Sequence, residues 1–503
     1  MVDLTRVPVL AGAGQLTNRE EDPLRAPDPF ALMQEAATLA AASAGARGES
    51  SAAGLLEELS HLWTVHSLSL RHGDPAGFLA GRLGADRAET RCSGMGGSIP
   101  QWLVDRAAEL VVTGTRPVVL IVGAEALATR KRAKRAGESL DWPSAPGWPD
   151  TWPSIEPDLG VHPVERAHGL HQATGIYALL ETALAHSSAQ DPAEHAAAMG
   201  ELMAKFNAVA AQNPHSWFAT CRDGEEITTV TADNRMIYFP YPKYLNAVMD
   251  VDMGAAVIVT DAKTAREWGL ASDEVAYVSG WADAHELWYV SERPHVERSE
   301  ALPVCAQAAL GIASMSVEEV SAFDLYSCFP SSVEVARDCL GIPPGDPRPL
   351  TLTGGLPYHG GPGSNYVTHA LANMLERLRS GAQESVLVHG NGYYLTKHAV
   401  GVYTRRPPEE DPQPASGLQK LADAAAKPLE IDPAAEGTGE VVAYTAPYTR
   451  DGDPEAAIVL VDLGGRRTVA RADGGLTEAL VEHDGVGSKV AVSSTPEGNA
   501  ATA

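Results

Sequence analysis

At 503 residues, 44% of them hydrophobic and 20% charged, the chain has an ordinary globular composition, enough to bury a large core and to fill roughly three domains. Its 65 acidic against 38 basic side chains give a formal charge of −27, which excludes nucleic acid as a main partner because phosphate binding needs a positive surface. Five cysteines without C-x-x-C spacing exclude a disulfide framework and a zinc knuckle, no apolar run approaches membrane-spanning length, and the N-terminal apolar segment is too short for a signal peptide, so a reducing, cytoplasmic location is expected.

The first two thirds of the chain alternate apolar strand-like runs with amphipathic helical stretches, the pattern of an α/β protein. A helix is predicted over 100–113, opened by Pro100, and the β-branched run over 118–122, ending at Gly123, reads as a buried strand. From 128 to about 235 the pattern changes to polar and Trp/Pro-rich stretches with helices such as 191–213, an insertion into the first half, which resumes with a strand over 250–260. The helix-strand unit returns at an offset of 267 residues, where Glu109, Gly114, Val119, Leu120 and Gly123 match Glu376, Gly381, Val386, Leu387 and Gly390. A glycine-rich loop precedes each copy, over 94–100 and 360–365. A duplicated α/β fold accounts for this; the alternative is coincidence among glycine caps and Val-Leu-Val strands, both common in such proteins.

Past the proline-rich acidic stretch 405–414, the runs at 439–445, 457–462, 467–471 and 489–493 read as short strands, with turns at 450–453 and at Gly464-Gly465. The expected organisation is a first half over 1–272 including the insertion, a second half over 273–406, a linker over 407–436, a small antiparallel β-barrel domain over 437–494 and a disordered tail over 495–503.

Four segments carry a family resemblance: Arg6-Val-Pro-Val-Leu-Ala-Gly-Ala-Gly-Gln15, Val122-Gly-Ala-Glu-Ala126, Asp252-Met-Gly-Ala-Ala256 and Thr353-Gly-Gly-Leu-Pro-Tyr-His-Gly-Gly-Pro362. Over roughly residues 5–405 the sequence resembles the thiolase superfamily, most closely the thiolase-like proteins similar to sterol carrier protein thiolases. The resemblance implies a duplicated thiolase fold, two βαβαβαββ halves in five αβαβα layers, with the insertion as the loop domain that covers the pocket and receives CoA. It also implies a dimer by family default, or a monomer where the added C-terminal domain blocks that surface.

The same resemblance marks what is missing. Thiolases place a nucleophilic cysteine at a helix N-terminus, where the dipole and free N–H groups stabilise the thiolate; counted back from Gly114, that position is Gly97. Cys92 lies five residues upstream, at a strand end, and reads as packing rather than nucleophile. The asparagine that positions a water corresponds to Tyr326 in Leu325-Tyr-Ser-Cys-Phe329, and the histidine of Gly-His-Pro to Gly361, two residues after His359. Aligned on Val388-His-Gly-Asn-Gly392, the second cysteine is replaced by His389. Thiolysis and Claisen condensation through an acyl-cysteine are therefore expected to be absent.

The candidate catalytic residues are His389 as acid-base group, with Tyr326 and His359 as polar contacts at the reacting carbonyl. The candidate binding residues are Gly97, Ser98, Gly361 and Asn391 in the loops, and Arg130 and Arg132 in the basic run 130–135, facing CoA phosphates. Each has a plainer reading: His389 as a hydrogen-bonded core side chain, Tyr326 as a plug in the vacated pocket, Ser98 as an N-cap, the basic run as a solvated helix face. Glu165, His168 and His171 share a three-residue spacing without a further ligand cluster, and Gly94-Met-Gly-Gly lacks a dinucleotide-binding context, so neither a metal nor a tightly bound cofactor is expected. Two functions stay open: an acyl-CoA-metabolism protein that binds a CoA thioester or performs aldolase-like chemistry, and a non-catalytic interaction or regulatory protein.

Overall fold

The computed structural model describes residues 2–45 and 49–503. The first half runs β1 (Pro8–Thr17), α1 (Pro29–Ser43), β2 (His61–Thr64), α2 (Pro75–Leu83), β3 (Glu89–Cys92), α3 (Ile99–Val112) and β4 (Val119–Ala126). An inserted region carrying α4 (Leu127–Ala136), α5 (Ala173–Ser187) and α6 (Pro192–Gln212) follows, before β5 (Asp252–Asp261) completes the half. The second half is β6 (Ala276–His285), α7 (Ala301–Ile312), β7 (Ala322–Leu325), α8 (Pro330–Cys339), α9 (Tyr366–Arg379), β8 (Ser385–Gly392) and β9 (Lys397–Thr404).

Local chemistry explains the elements. Asp28 caps α1 by accepting from the N–H groups of Phe30 (2.7 Å) and Ala31 (3.0 Å), with Pro29 in the first turn. The alanines of α1 lie so close to β1 that a Cβ on Gly14 would come within 2.5 Å of Leu39 Cβ. Gly280 of β6 meets the alanine-rich α7 in the same way. The strands form a nine-stranded sheet in the order β3-β2-β4-β5-β1-β6-β9-β8-β7. Its halves meet through a short ladder pairing Val9 with Tyr277 and Leu10 with Ala276. α3 and α9 pack between the halves, α1 and α2 cover the outside of the first, and α7 and α8 cover the outside of the second, which makes five layers.

The duplication is geometric. α3 and α9 are each 14 residues long, and both ends are displaced by 267 positions. Each helix start rests on the strand-end glycine of the other half. A Cβ on Gly390 would lie 2.9 Å from Ser98 Cα, and one on Gly123 would lie 2.5 Å from Asn365 Oδ1, while Asn365 Nδ2 donates to Gly123 O (2.7 Å). Ser98 and Asn365 are themselves 267 residues apart.

Two expectations for the C-terminal region are corrected. The stretch 407–436 is not a plain linker: α10 (Leu418–Ala425) packs on α7 with Ala422 buried, and β10 (Glu430–Ile431) pairs with the barrel. The barrel itself comprises β11 (Gly437–Thr445), β12 (Ile458–Asp462), β13 (Arg466–Ala472), α11 (Gly474–Glu482), β14 (Lys489–Thr495) and β15 (Gly498–Thr502). β15 lies in the tail expected to be disordered, yet it pairs antiparallel with β14 and parallel with β13, closing a five-stranded barrel that is not wholly antiparallel. The physical reason is Asn499, whose buried amide donates to Thr468 Oγ1 (2.8 Å) and accepts from Ala435 N (3.2 Å).

The barrel docks on the inserted region. Thr182 Oγ1 of α5 accepts from Tyr444 N (3.0 Å) and donates to Tyr444 O (2.8 Å), Phe239 stacks on Tyr444, and His168 Nε2 accepts from Asn499 N (2.7 Å). The chain crosses the end of the outer strand β3: Trp152 N donates to Cys92 O (2.9 Å), and its indole packs edge-on against Trp63 and Trp102. Asn499→Ala should lower unfolding stability by about 2–4 kcal/mol through two lost buried hydrogen bonds; denaturant unfolding checks this, and a disordered tail would show no change.

Candidate functional site

Tyr326 follows β7 and precedes α8, and Ser332 Oγ of that helix donates to its carbonyl (2.7 Å). Its buried ring meets Tyr366 edge-on at 5.7 Å between centroids and lies across the start of α3. A Cβ on Gly97 would overlap Cζ and Oη of Tyr326. The space above the helix start is therefore held by a phenol, and Gly97 and Tyr326 form a sterically matched pair. Burial holds the Tyr326 hydroxyl well above its usual pKa, so it remains an O–H donor.

The structure assigns the second-cysteine position differently from the sequence alignment. Gly390 and Gly392 of β8 face Ser98, and Gly401, paired with Val388, faces Gln101 of α3. Strand alternation then turns His389 and Asn391 to the opposite face. His389 Nε2 lies 3.1 Å from His398 Nδ1, and His398 Nε2 donates to Leu395 O (3.1 Å), so His389 donates along this chain and its Nδ1 is left buried without a partner. Asn391 Nδ2 donates to Tyr177 Oη (2.8 Å) and Ser332 Oγ (3.2 Å). The residue facing Gly97 from β8 is thus Gly390 in Gly390-Asn-Gly392, one position beyond His389, and neither His389 nor Asn391 reaches the helix start.

His359 is fully buried, with Nδ1 3.1 Å from Ser216 Oγ and Nε2 unpartnered, and it packs edge-on against Tyr366 and His369. Burial lowers its pKa to about 3, so it is neutral at physiological pH. Gly361 packs beside Leu356 and the Val248 carbonyl. Ser98 precedes α3 but makes no side-chain cap, which corrects the N-cap reading; its hydroxyl lies toward Gly392. Cys92 is buried, which pushes its thiol up to about 11 and argues against a nucleophile.

Of the basic run, Arg132 is committed to Asp252 Oδ2 (3.2 Å) and Glu20 O (3.0 Å), whereas Arg130 donates to Leu68 O (2.9 Å) and forms no ion pair among the described residues. The structure therefore brings Gly97, Ser98 and Tyr326 together, with His359 linked to them through Tyr366; it places His389 and Asn391 behind the sheet. Beside Cys92, a cavity of about 340 Å³ opens between His66, Leu70, Arg71, His72 and Trp148, a site that no motif announced.

Two outcomes follow. Gly97→Ala should destabilise by about 1–3 kcal/mol through overpacking, and the penalty should vanish in a Tyr326→Ala background; additive costs in chemical unfolding would show that the two residues do not touch. His389 has its pKa held well below 6.5 by burial and the adjacent His398, so only the unfolded state takes up its proton below about pH 6.5. The contribution of His389 to stability is constant above that pH and falls below it. Buried carboxylates such as Glu125, whose pKa burial raises, act in the opposite sense, so the comparison is differential. The stability advantage of the native chain over His389→Asn should shrink by up to about 1.4 kcal/mol per pH unit below 6.5.

The geometry has counterparts among known proteins. Residues 418–497 match the family model described as the thiolase-like protein type 1 additional C-terminal domain. No curated protein matches the chain. A monomeric SCP2-thiolase like protein type 1 from Mycobacterium smegmatis is 32% identical, with a TM-score of 0.84, covering 100% of this chain and 99% of its own. The Ltp2-ChsH2(DUF35) aldolase shares the fold at 18% identity and a TM-score of 0.59 over 80% of this chain and 98% of its own. Human mitochondrial 3-ketoacyl-CoA thiolase shares it at 15% and 0.53, over 80% and 99%. The match that runs the full length of both chains, barrel included, shows that this chain belongs to the SCP2-thiolase-like proteins of type 1.

Proposed function

We propose that this chain is a non-catalytic binding or interaction protein on a thiolase fold, performing neither thiolysis nor Claisen condensation. The observation that carries this reading is the Tyr326 ring seated over Gly97. A glycine has no atom to acylate, and the phenol occupies the place where a thioester carbon would meet the N–H groups of the helix start. The fold shared with an aldolase does not supply an acid-base group, because His389 faces the other side of β8 and His359 is held neutral. The monomeric state of the full-length Mycobacterium smegmatis neighbour favours a single copy in solution, with a mass near 53.0 kDa.

A second reading, non-covalent binding of a CoA thioester, has one observation in its favour: Arg130 at the start of the inserted region carries no paired carboxylate and is available to a phosphate. One set of measurements on the purified chain tests both. With acetoacetyl-CoA and CoA, the expected result is no thioester consumption above buffer and no acyl adduct by intact-protein mass; either signal would sink the non-catalytic reading. Calorimetric titration with acetyl-CoA reads the second. Saturation weakened several-fold by Arg130→Ala supports a CoA site, and absence of heat removes it.

A further inference from the structure

Away from Gly97, the inserted region meets the second half around three buried ligating side chains: Glu181 of α5, His195 of α6 and Glu334 of α8. One ligand atom from each lies within 4.8 Å of the other two, and the residues are 0%, 5% and 6% exposed. His195 Nε2 is 2.5 Å from Glu181 Oε1, while Nδ1 is 3.1 Å from Gln190 Oε1. Gln190 and Glu181 thus hold the two ring nitrogens from opposite sides. Glu181 Oε2 is held by the Tyr241 hydroxyl, which itself accepts from Ser331 N (3.2 Å). Among the described residues no N–H or O–H donates to the Glu334 carboxylate, which faces that of Glu181. Two carboxylates facing each other in a buried space repel one another unless a cation or a shared proton lies between them.

We propose that Glu181, His195 and Glu334 form a divalent-metal site suited to Zn²⁺. Imidazole nitrogen and carboxylate oxygen are both zinc ligands, and three protein donors leave a fourth position for water. Two positive charges balance the two carboxylates. Gln190 and Tyr241 supply the outer contacts that orient His195 and Glu181. The ion ties two helices of the inserted region to the second half, beside the Ser331–Ser332 helix start that positions Tyr326. The proposal runs against the expectation, drawn from sequence, of no metal. The spaced set considered from sequence is engaged elsewhere, since His168 accepts from Asn499 N (2.7 Å) and Glu165 from Ser291 N (2.8 Å).

The test uses the full chain, stripped with EDTA, reloaded with Zn²⁺ and passed over a desalting column. Mass spectrometry for metal should find about one zinc per chain and calorimetry a raised melting temperature. Glu334→Gln should retain at least about tenfold less, while the exposed control His295→Gln retains as much as the native chain. Co²⁺ in the unmodified chain reads the site without any substitution and should give the visible bands of a four-coordinate ion. The proposal is overturned if the native chain keeps no more zinc than Glu334→Gln, or if Co²⁺ gives only the octahedral spectrum of the free ion; Glu181 and Glu334 would then share a proton.

Discussion

The interaction on which the rest of the molecule depends is the reciprocal seating of two helix starts on two strand-end glycines. Ser98 at the head of α3 lies on Gly390 of the second half, and Asn365 at the head of α9 lies on Gly123 of the first. Neither contact tolerates a Cβ on the glycine, so the distance between the halves is set by backbone approach at Gly390 and by the Asn365 side chain seated on Gly123. That approach brings the start of α3 beneath the loop after β7, and hence Gly97 beneath Tyr326.

Once this distance is fixed, residues 97 and 326 cannot be chosen independently. A thiolase-like cysteine at 97 requires open space above the helix start, and a tyrosine at 326 requires that nothing project from position 97. The chain holds the second solution. The same construction leaves buried polar groups behind the sheet, where His389 bonds to His398, and Asn391 donates to Tyr177 and Ser332, while His389 Nδ1 and Asn391 Oδ1 have no partner.

The inserted region and the barrel extend this logic. α5 lies between them: one side hydrogen-bonds Tyr444 of the barrel through Thr182, and the other presents Glu181 to α6 and α8. The barrel's last strand is held by its ladders to two neighbouring strands and by the Asn499 side chain, whose backbone N–H also reaches His168 of the inserted region. The C-terminal domain is therefore packed into the body of the protein rather than tethered to it, as α10 on α7 also shows.

Much of the fold was legible in the chain because duplication writes itself as spacing: the 267-residue offset between two helix-strand units appears to the residue in α3 and α9. The loss at Gly97 was legible too, since a glycine carries no nucleophile whatever surrounds it. Which side of a strand a residue faces was not, because β alternation has period two and a one-residue error in register turns His389 from the helix start to the far side. Nor could spacing reveal Glu181, His195 and Glu334, which three separate helices bring together, or Asn499, whose order rests on a hydrogen bond to a strand some thirty residues earlier. Sequence by itself determined the repeated architecture and the missing nucleophile, both properties of residue type and interval. Tertiary structure alone decided what fills the vacated space and which distant polar groups meet, because those depend on how closely the halves and the inserted helices approach.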